Sequence, residues 1–212
     1  LISGATIDVV NASGANVVSG GQYATTNDAG DVIGGVGMID WINKVIITGG
    51  VPEDLFIKLT GGTDIATLKP NAIEYYIPYF MAIVENSYAL TNITTYISYA
   101  MMYGVLTLEN AKTRANILFG VSVQNLATYD PLKSLNDGTD VNGYVYKRVL
   151  YFGNLIEILL KANIGKSLTE IVTEIITKSE SSSITSFNTD TYITEVTNTL
   201  TQSANLNFGV NI

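Results

Sequence analysis

The chain has 212 residues, of which 47% are hydrophobic and only 14% charged, with a net charge of −8 and a pI of about 4.4. It contains no cysteine and no histidine, which excludes disulfides, thiolate nucleophiles, cysteine-type zinc sites and every Ser-His-Asp or Cys-His arrangement. Arg114 and Arg148 are its only arginines, so neither nucleic acid nor an anionic membrane surface is an expected partner, since both are held by Lys and Arg.

A chain of this length buries roughly 70% of its unfolded surface without staples. It reads as one domain, 1–212, in three parts: a Gly-rich N-terminal arm (1–37), a helical body (38–180) and a C-terminal arm (181–212). The expected class is α+β, with a mainly helical body over about residues 38–178 and β-strand-like arms at both ends.

Twelve of the 19 glycines lie in residues 1–62. The stretch ATIDVV, residues 5–10, reads as a strand with Ile7 and Val9 on one face. NASGAN then reads as a turn, VVSG as a possible return strand, and residues 19–37 as a Gly/Asn/Asp loop. Helical spacing starts at Met38, through Trp41, Ile42 and Val45, and stops at Gly49-Gly50. VPEDLFIKLTGG reads as a short helix, with Pro52 in its first turn and Glu53 and Asp54 at the positive end of the dipole. A longer helical pattern follows Pro70, through Ile73, Tyr76, Ile77, Phe80, Ile83, Val84 and Tyr88, with a kink or break expected at Pro78. Ile93, Tyr96, Ile97, Ala100 and Met101 keep the same period.

Thr107 is placed to cap a helix carried by Leu108, Ala111, Ala115, Leu118 and Val121 or Ser122. DPLKSLNDGTDVNG reads as a loop. Residues 144–163 form an apolar helix through Val149, Phe152, Leu155, Ile156, Leu159 and Leu160, stopped near Gly165. Ser167 and Glu170 form a capping box. Thr189 or Asp190 starts one more short helix. The chain closes on strict alternation, with Ala204, Leu206, Phe208, Val210 and Ile212 separated by Asn205, Asn207, Gly209 and Asn211. That is a half-buried strand, which pairs inside its own subunit, for instance with ATIDVV, or completes the sheet of a neighbour.

The chemical motifs are sparse. Gly35-x-Gly37 lacks the third glycine of a dinucleotide loop, because Asp40 stands there. Ser122 in GVSVQ lacks the G-x-S-x-G context. Glu53, Asp54, Glu157, Glu170 and Glu174 suit solvated helix faces and dipole ends. Asp137, Asp140 and Asn142 put oxygen donors in one glycine-containing loop, a weak pattern for Ca²⁺. An EF-hand alignment with Asn142-Gly143 at positions 5 and 6 puts Gly138 at position 1, so a turn is the simpler reading. Asp28 and Asp31 make a weaker case of the same kind. No other cofactor is expected.

Asn11-Ala-Ser and Asn92-Ile-Thr fit the N-glycosylation acceptor. Seven of the 13 tyrosines fall within residues 75–103. Tyr75 and Tyr79 lie on a helix flank, where amphipathic rings serve the edge of a core or a subunit contact.

Low charge, absent catalytic residue types, clustered tyrosines and strand-like arms point to a non-enzymatic structural subunit. It is expected to assemble with itself in an extracellular, cell-surface or virion structure, as a coat, capsid or filament protein. Its expected contacts are Tyr75, Tyr79, Leu206, Phe208, Val210 and Ile212. A secreted or surface binding module that works as a monomer is the alternative, and an enzyme using carboxylates or a metal is the third. The uncharged stretch from Asn86 to Leu108 carries too many polar groups for a transmembrane helix.

Overall fold

The structure, a computed structural model, describes residues 2–18, 24–28, 32–33, 52–65, 68–71, 73–85, 89–122, 124, 126–161, 167, 169–170 and 173. Strands come first. They are β1 (Ile2–Ser3), β2 (Thr6–Asn11), β3 (Ala24–Thr26), β4 (Val32–Ile33), β5 (Leu55–Thr60), β6 (Thr63–Asp64), β7 (Lys69–Pro70) and β8 (Tyr75–Pro78). Helices follow: α1 (Tyr79–Glu85), α2 (Asn92–Met102), α3 (Leu108–Phe119), α4 (Pro131–Asn136) and α5 (Tyr144–Lys161). A run of strands followed by a run of helices, with antiparallel pairing throughout, is the α+β class.

The larger sheet has the order β4-β3-β2-β5-β8 and the smaller one β1-β6-β7. β2 follows the expected alternation, with Ile7 and Val9 buried, and Val10 is buried as well. It pairs with β5 along its whole length, from Thr6↔Thr60 to Asn11↔Leu55. Its other edge takes β3 at Thr6↔Thr25 and Ile7↔Ala24. Asn16 then bridges to Val10, and the Val17 N–H donates to the Val9 carbonyl at 2.9 Å. The turn between is held by Asn11 Oδ1, which accepts from the Ser13 and Ala15 N–H groups, both at 3.0 Å. Both edges of β2 are therefore paired among the described residues. Residues 204–212 themselves lie outside the described residues, as do the expected helices from Met38 and from Thr189.

Three expectations change. The segment 55–60 is a strand and not a helix: Pro52–Asp54 makes one 3-10 turn and the chain then extends. β5 lies between β2 and β8, and Leu55, Phe56, Ile57 and Leu59 are all buried. A strand covered on both faces loses its alternation and imitates a buried helix in sequence. Tyr75–Pro78 is likewise a strand, registered on β5 from Leu59↔Tyr75 to Phe56↔Pro78. The break expected at Pro78 is the point where β8 ends and α1 begins, as suits a residue with no N–H to donate. The strands of the N-terminal segment thus pair with residues 55–78, inside the span expected to be helical. The stretch read as a loop over 19–37 contributes β3 and β4.

Local side chains cap the helices. Thr91 and Thr94 form a reciprocal capping box on α2. Thr107 caps α3, and Gly120 closes it in the left-handed conformation, leaving Val121 and the exposed Ser122 beyond the helix. Ser167 Oγ accepts from the Glu170 N–H at 3.2 Å while Glu170 Oε2 accepts from the Ser167 N–H at 2.6 Å. The stretch DPLKSLN is not a loop. Asp130 Oδ1 accepts from the Leu132 and Lys133 N–H groups at 2.9 and 3.0 Å, Pro131 opens the first turn, and α4 results.

Sheet and helices share one cluster of buried residues. At its centre Tyr96, Phe119 and Phe152, from α2, α3 and α5, meet edge-to-face with centroids 5.5 to 5.8 Å apart. The outer edge of β8 is covered by α2. The Tyr76 N–H donates to Thr95 Oγ1 at 3.0 Å, and that hydroxyl donates to the Thr91 carbonyl at 2.8 Å. A helix side chain thus satisfies a strand edge that would otherwise be open to pairing. Thr95→Val keeps the shape and removes the acceptor, stranding a buried N–H, and should cost about 1–3 kcal/mol. Chemical denaturation measures this, and a loss below about 0.5 kcal/mol would show that Thr95 does not hold the edge.

Candidate contact sites

The antiparallel register assembles one polar and aromatic group that no local pattern announces. Lys58 of β5 lies opposite Tyr76 of β8. Lys58 Nζ pairs with Glu74 Oε1 at 2.8 Å and stands 5.6 Å from the centre of the Tyr76 ring. The Tyr76 hydroxyl donates to Glu74 Oε2 at 2.7 Å. Tyr99 of α2 leans on Tyr76 with centroids 5.4 Å apart, and Tyr103 leans on Tyr99 at 5.6 Å. The three rings form a row running from the sheet to the end of α2, with Glu74, half exposed at 48%, and Lys58 at its polar end.

Burial first, and then the hydrogen bond and charge of Glu74, raise the Tyr76 phenol far above its ordinary range. Burial and the Glu74 charge do the same for Tyr99 and Tyr103. These phenols stay protonated through neutral pH. Tyr76 and Tyr99 are buried and the Tyr76 hydroxyl is engaged by Glu74, while Tyr103 is partly exposed, and the ion pair beside the row is internally neutralised.

The tyrosines expected at a subunit contact are placed differently. Tyr79 is buried in its own subunit, so its ring serves the core. Tyr75 is half-buried and packs against that core. Tyr75 stands in β8, where a helix flank was expected, and Tyr79 opens α1 directly after it.

The three oxygen donors of the 136–143 loop are engaged separately. Asp137 pairs with Lys133 one helical turn back. Asp140 is buried, and its two oxygens accept from the Val145 and Tyr146 N–H groups at 3.0 and 2.8 Å, satisfying the first turn of α5. Asn142 adopts φ 65° in the 3-10 turn before that helix. Among the described residues no group of three or more acidic side chains gathers as a cation site. Asp28 accepts from the Ser3 hydroxyl at 2.6 Å, while Asp31 lies outside the described residues.

Of the two glycosylation motifs, Asn11 holds its turn through Oδ1. Asn92 donates through Nδ2 to the Val149 carbonyl at 3.0 Å. It packs so closely on α5 that a Cβ at Gly153 would lie 2.4 Å from that nitrogen. The Asn92 amide nitrogen is thus engaged within the fold. Leu206, Phe208, Val210 and Ile212 lie outside the described residues. Among those described, no helix is long and apolar enough to cross a membrane.

Sequence reasoning missed the large apolar side chains that stand in solvent. Val105 is 87% exposed, Leu68 80% and Val141 70%. Composition hides them, because an apolar residue in a turn looks the same whether it is covered or not. No protein family model, characterised protein or solved structure matches this chain.

Proposed function

We propose that the chain is a structural subunit that assembles with copies of itself, as a coat, capsid or filament protein of a virion or an extracellular appendage. The observation that carries this reading is the set of apolar side chains left in solvent at Val105, Leu68 and Val141. They stand on a chain with only 14% charged residues. A surface poor in charge tends to find partners. The alternating pattern from Ala204 to Ile212 supplies an arm for strand addition, with main-chain hydrogen bonds for affinity and alternate side chains for register.

Electron microscopy and sedimentation of the purified chain are expected to show regular filaments, tubes or shells. A chain ending at Ser203 is expected to fold and fail to assemble, and a peptide of residues 204–212 is expected to bind it. Isolated monomers of the full chain at every concentration would overturn the reading. A second reading, a monomeric binding module, draws on the half-buried Tyr103, where the row from Tyr76 through Tyr99 reaches the end of α2.

A further inference from the structure

Three described residues other than glycine have positive φ: Leu68 (55°), Val105 (53°) and Asn142 (65°). Asparagine suits that region, but a β-branched residue there is an outlier. Val105 follows α2 in the connection to α3. The N–H groups of Tyr103 and Gly104 donate to the Tyr99 carbonyl at 2.8 and 3.4 Å, and that of Leu106 donates to the Ala100 carbonyl at 3.1 Å. These bonds involve backbone alone, and glycine or asparagine at position 105 would form them with less strain. The core does not ask for valine either, since its side chain stands almost wholly in water. The chain carries both a conformational cost and an uncovered apolar group at this one residue, and strain of that kind collects where a surface is used.

The chain on both sides of the turn is uncharged. No charged residue occurs between Asn86 and Leu108. Met101, Met102, Tyr103 and Leu106 are partly buried around the turn and packed on the core. The charges at the border are paired within the subunit, Glu109 with Lys112 at 3.5 Å and Glu74 with Lys58 at 2.8 Å.

We infer that the α2–α3 turn, residues 101–106 with Val105 at its tip, is a contact surface for a second copy of this chain. The inference rests on the self-assembly reading and gives it a location. Charge selects the partner. Each copy carries −8, so copies repel wherever acidic surfaces face one another. A neutral turn bordered by internally paired charges is a face on which two of them can meet. Removing Val105 from water there supplies attraction, and the two methionines adapt their shape to what they meet.

The test is sedimentation of the full-length chain over a concentration series, beside Val105→Gly, Val105→Asn and Leu68→Gly, with thermal melting of each as a dilute subunit. Val105→Gly and Val105→Asn are expected to melt at or above the parent, because the strain is relieved. They should nevertheless need about tenfold more protein to associate, the loss of one well-placed contact. Leu68→Gly, whose neighbour Lys69 is charged, should weaken association distinctly less than either Val105 variant. Unchanged association in both Val105 variants, with the parent assembling, removes this surface and leaves the self-assembly reading standing. A parent that never associates removes both. Equal weakening by Leu68→Gly would show general stickiness and overturn the assignment. So would a Val105→Gly subunit that melts far below the parent, since the fold would then require the valine. Binding of a monomeric parent to phosphatidylcholine vesicles, lost in Val105→Gly, would assign the turn to a lipid surface and overturn it too.

Discussion

Phe119→Ala is expected to cost about 3–5 kcal/mol, the range for emptying a large aromatic site in a closed core. Phe119 ends α3 fully buried, with Tyr96 of α2 at 5.8 Å and Phe152 of α5 at 5.5 Å. The three edge-to-face contacts bind three helices into one unit, so the cavity would open at their junction with no backbone free to collapse into it. The loss is a large share of a domain stability of about 5–15 kcal/mol. For a chain of this size it corresponds to a fall in Tm of about 6–20 °C. Phe119→Leu refills most of the volume and should lose distinctly less. Calorimetry of the two variants decides the matter, and equal losses would show that refilling the volume recovers nothing, so that the lost ring contacts and not the cavity set the cost.

Gly62→Ala is expected to cost about 2–5 kcal/mol, by a backbone route. Gly62 sits at φ 79°, and a Cβ there would lie 2.6 Å from the Ser3 carbonyl oxygen and 2.8 Å from the Ala5 nitrogen. Neither neighbour is the end of a flexible side chain. The segment joining β1 to β2 would have to move, and it is fixed by the Gly4 N–H on the Thr26 carbonyl at 2.9 Å and the Ala5 N–H on Thr26 Oγ1 at 2.9 Å. Gly61 is the control. It has φ 66° with nothing within 4 Å of a Cβ, so Gly61→Ala should cost only the conformational share, about 1–2 kcal/mol. Matching losses at the two positions in a denaturant series would show that close approach at Gly62 is unimportant.

The sequence by itself determined the elements that depend on neighbours close along the chain. The cap at Thr107 and the Ser167–Glu170 box are contacts within a few residues, and each stands where its residues predict, while the stop at Gly120 comes one residue short of the expected Val121. The helices from Asn92, Leu108 and Tyr144, the strand at residues 6–11 and the turn at Asn11 were legible for the same reason. The absence of cysteine and histidine bounded the chemistry before any fold was known.

Tertiary structure alone decided the rest. β5 was unreadable because burial on both faces erases the alternation that marks a strand, and what makes it extended is its pairing with β2 and β8. Tyr79 was assigned to a helix flank because one helix was assumed from Ile73 onward, whereas the chain is extended up to Pro78 and α1 begins only at Tyr79. Asp140 resembled a cation ligand until α5 presented two N–H groups to it. Lys58, Glu74, Tyr76 and Tyr99 form one group only through a strand register and a helix laid over it. Lys58 and Tyr99 are 41 positions apart in the sequence, and what brings them together is the free energy of burying β5, β8 and α2 in one core, which no spacing of residues along the chain records.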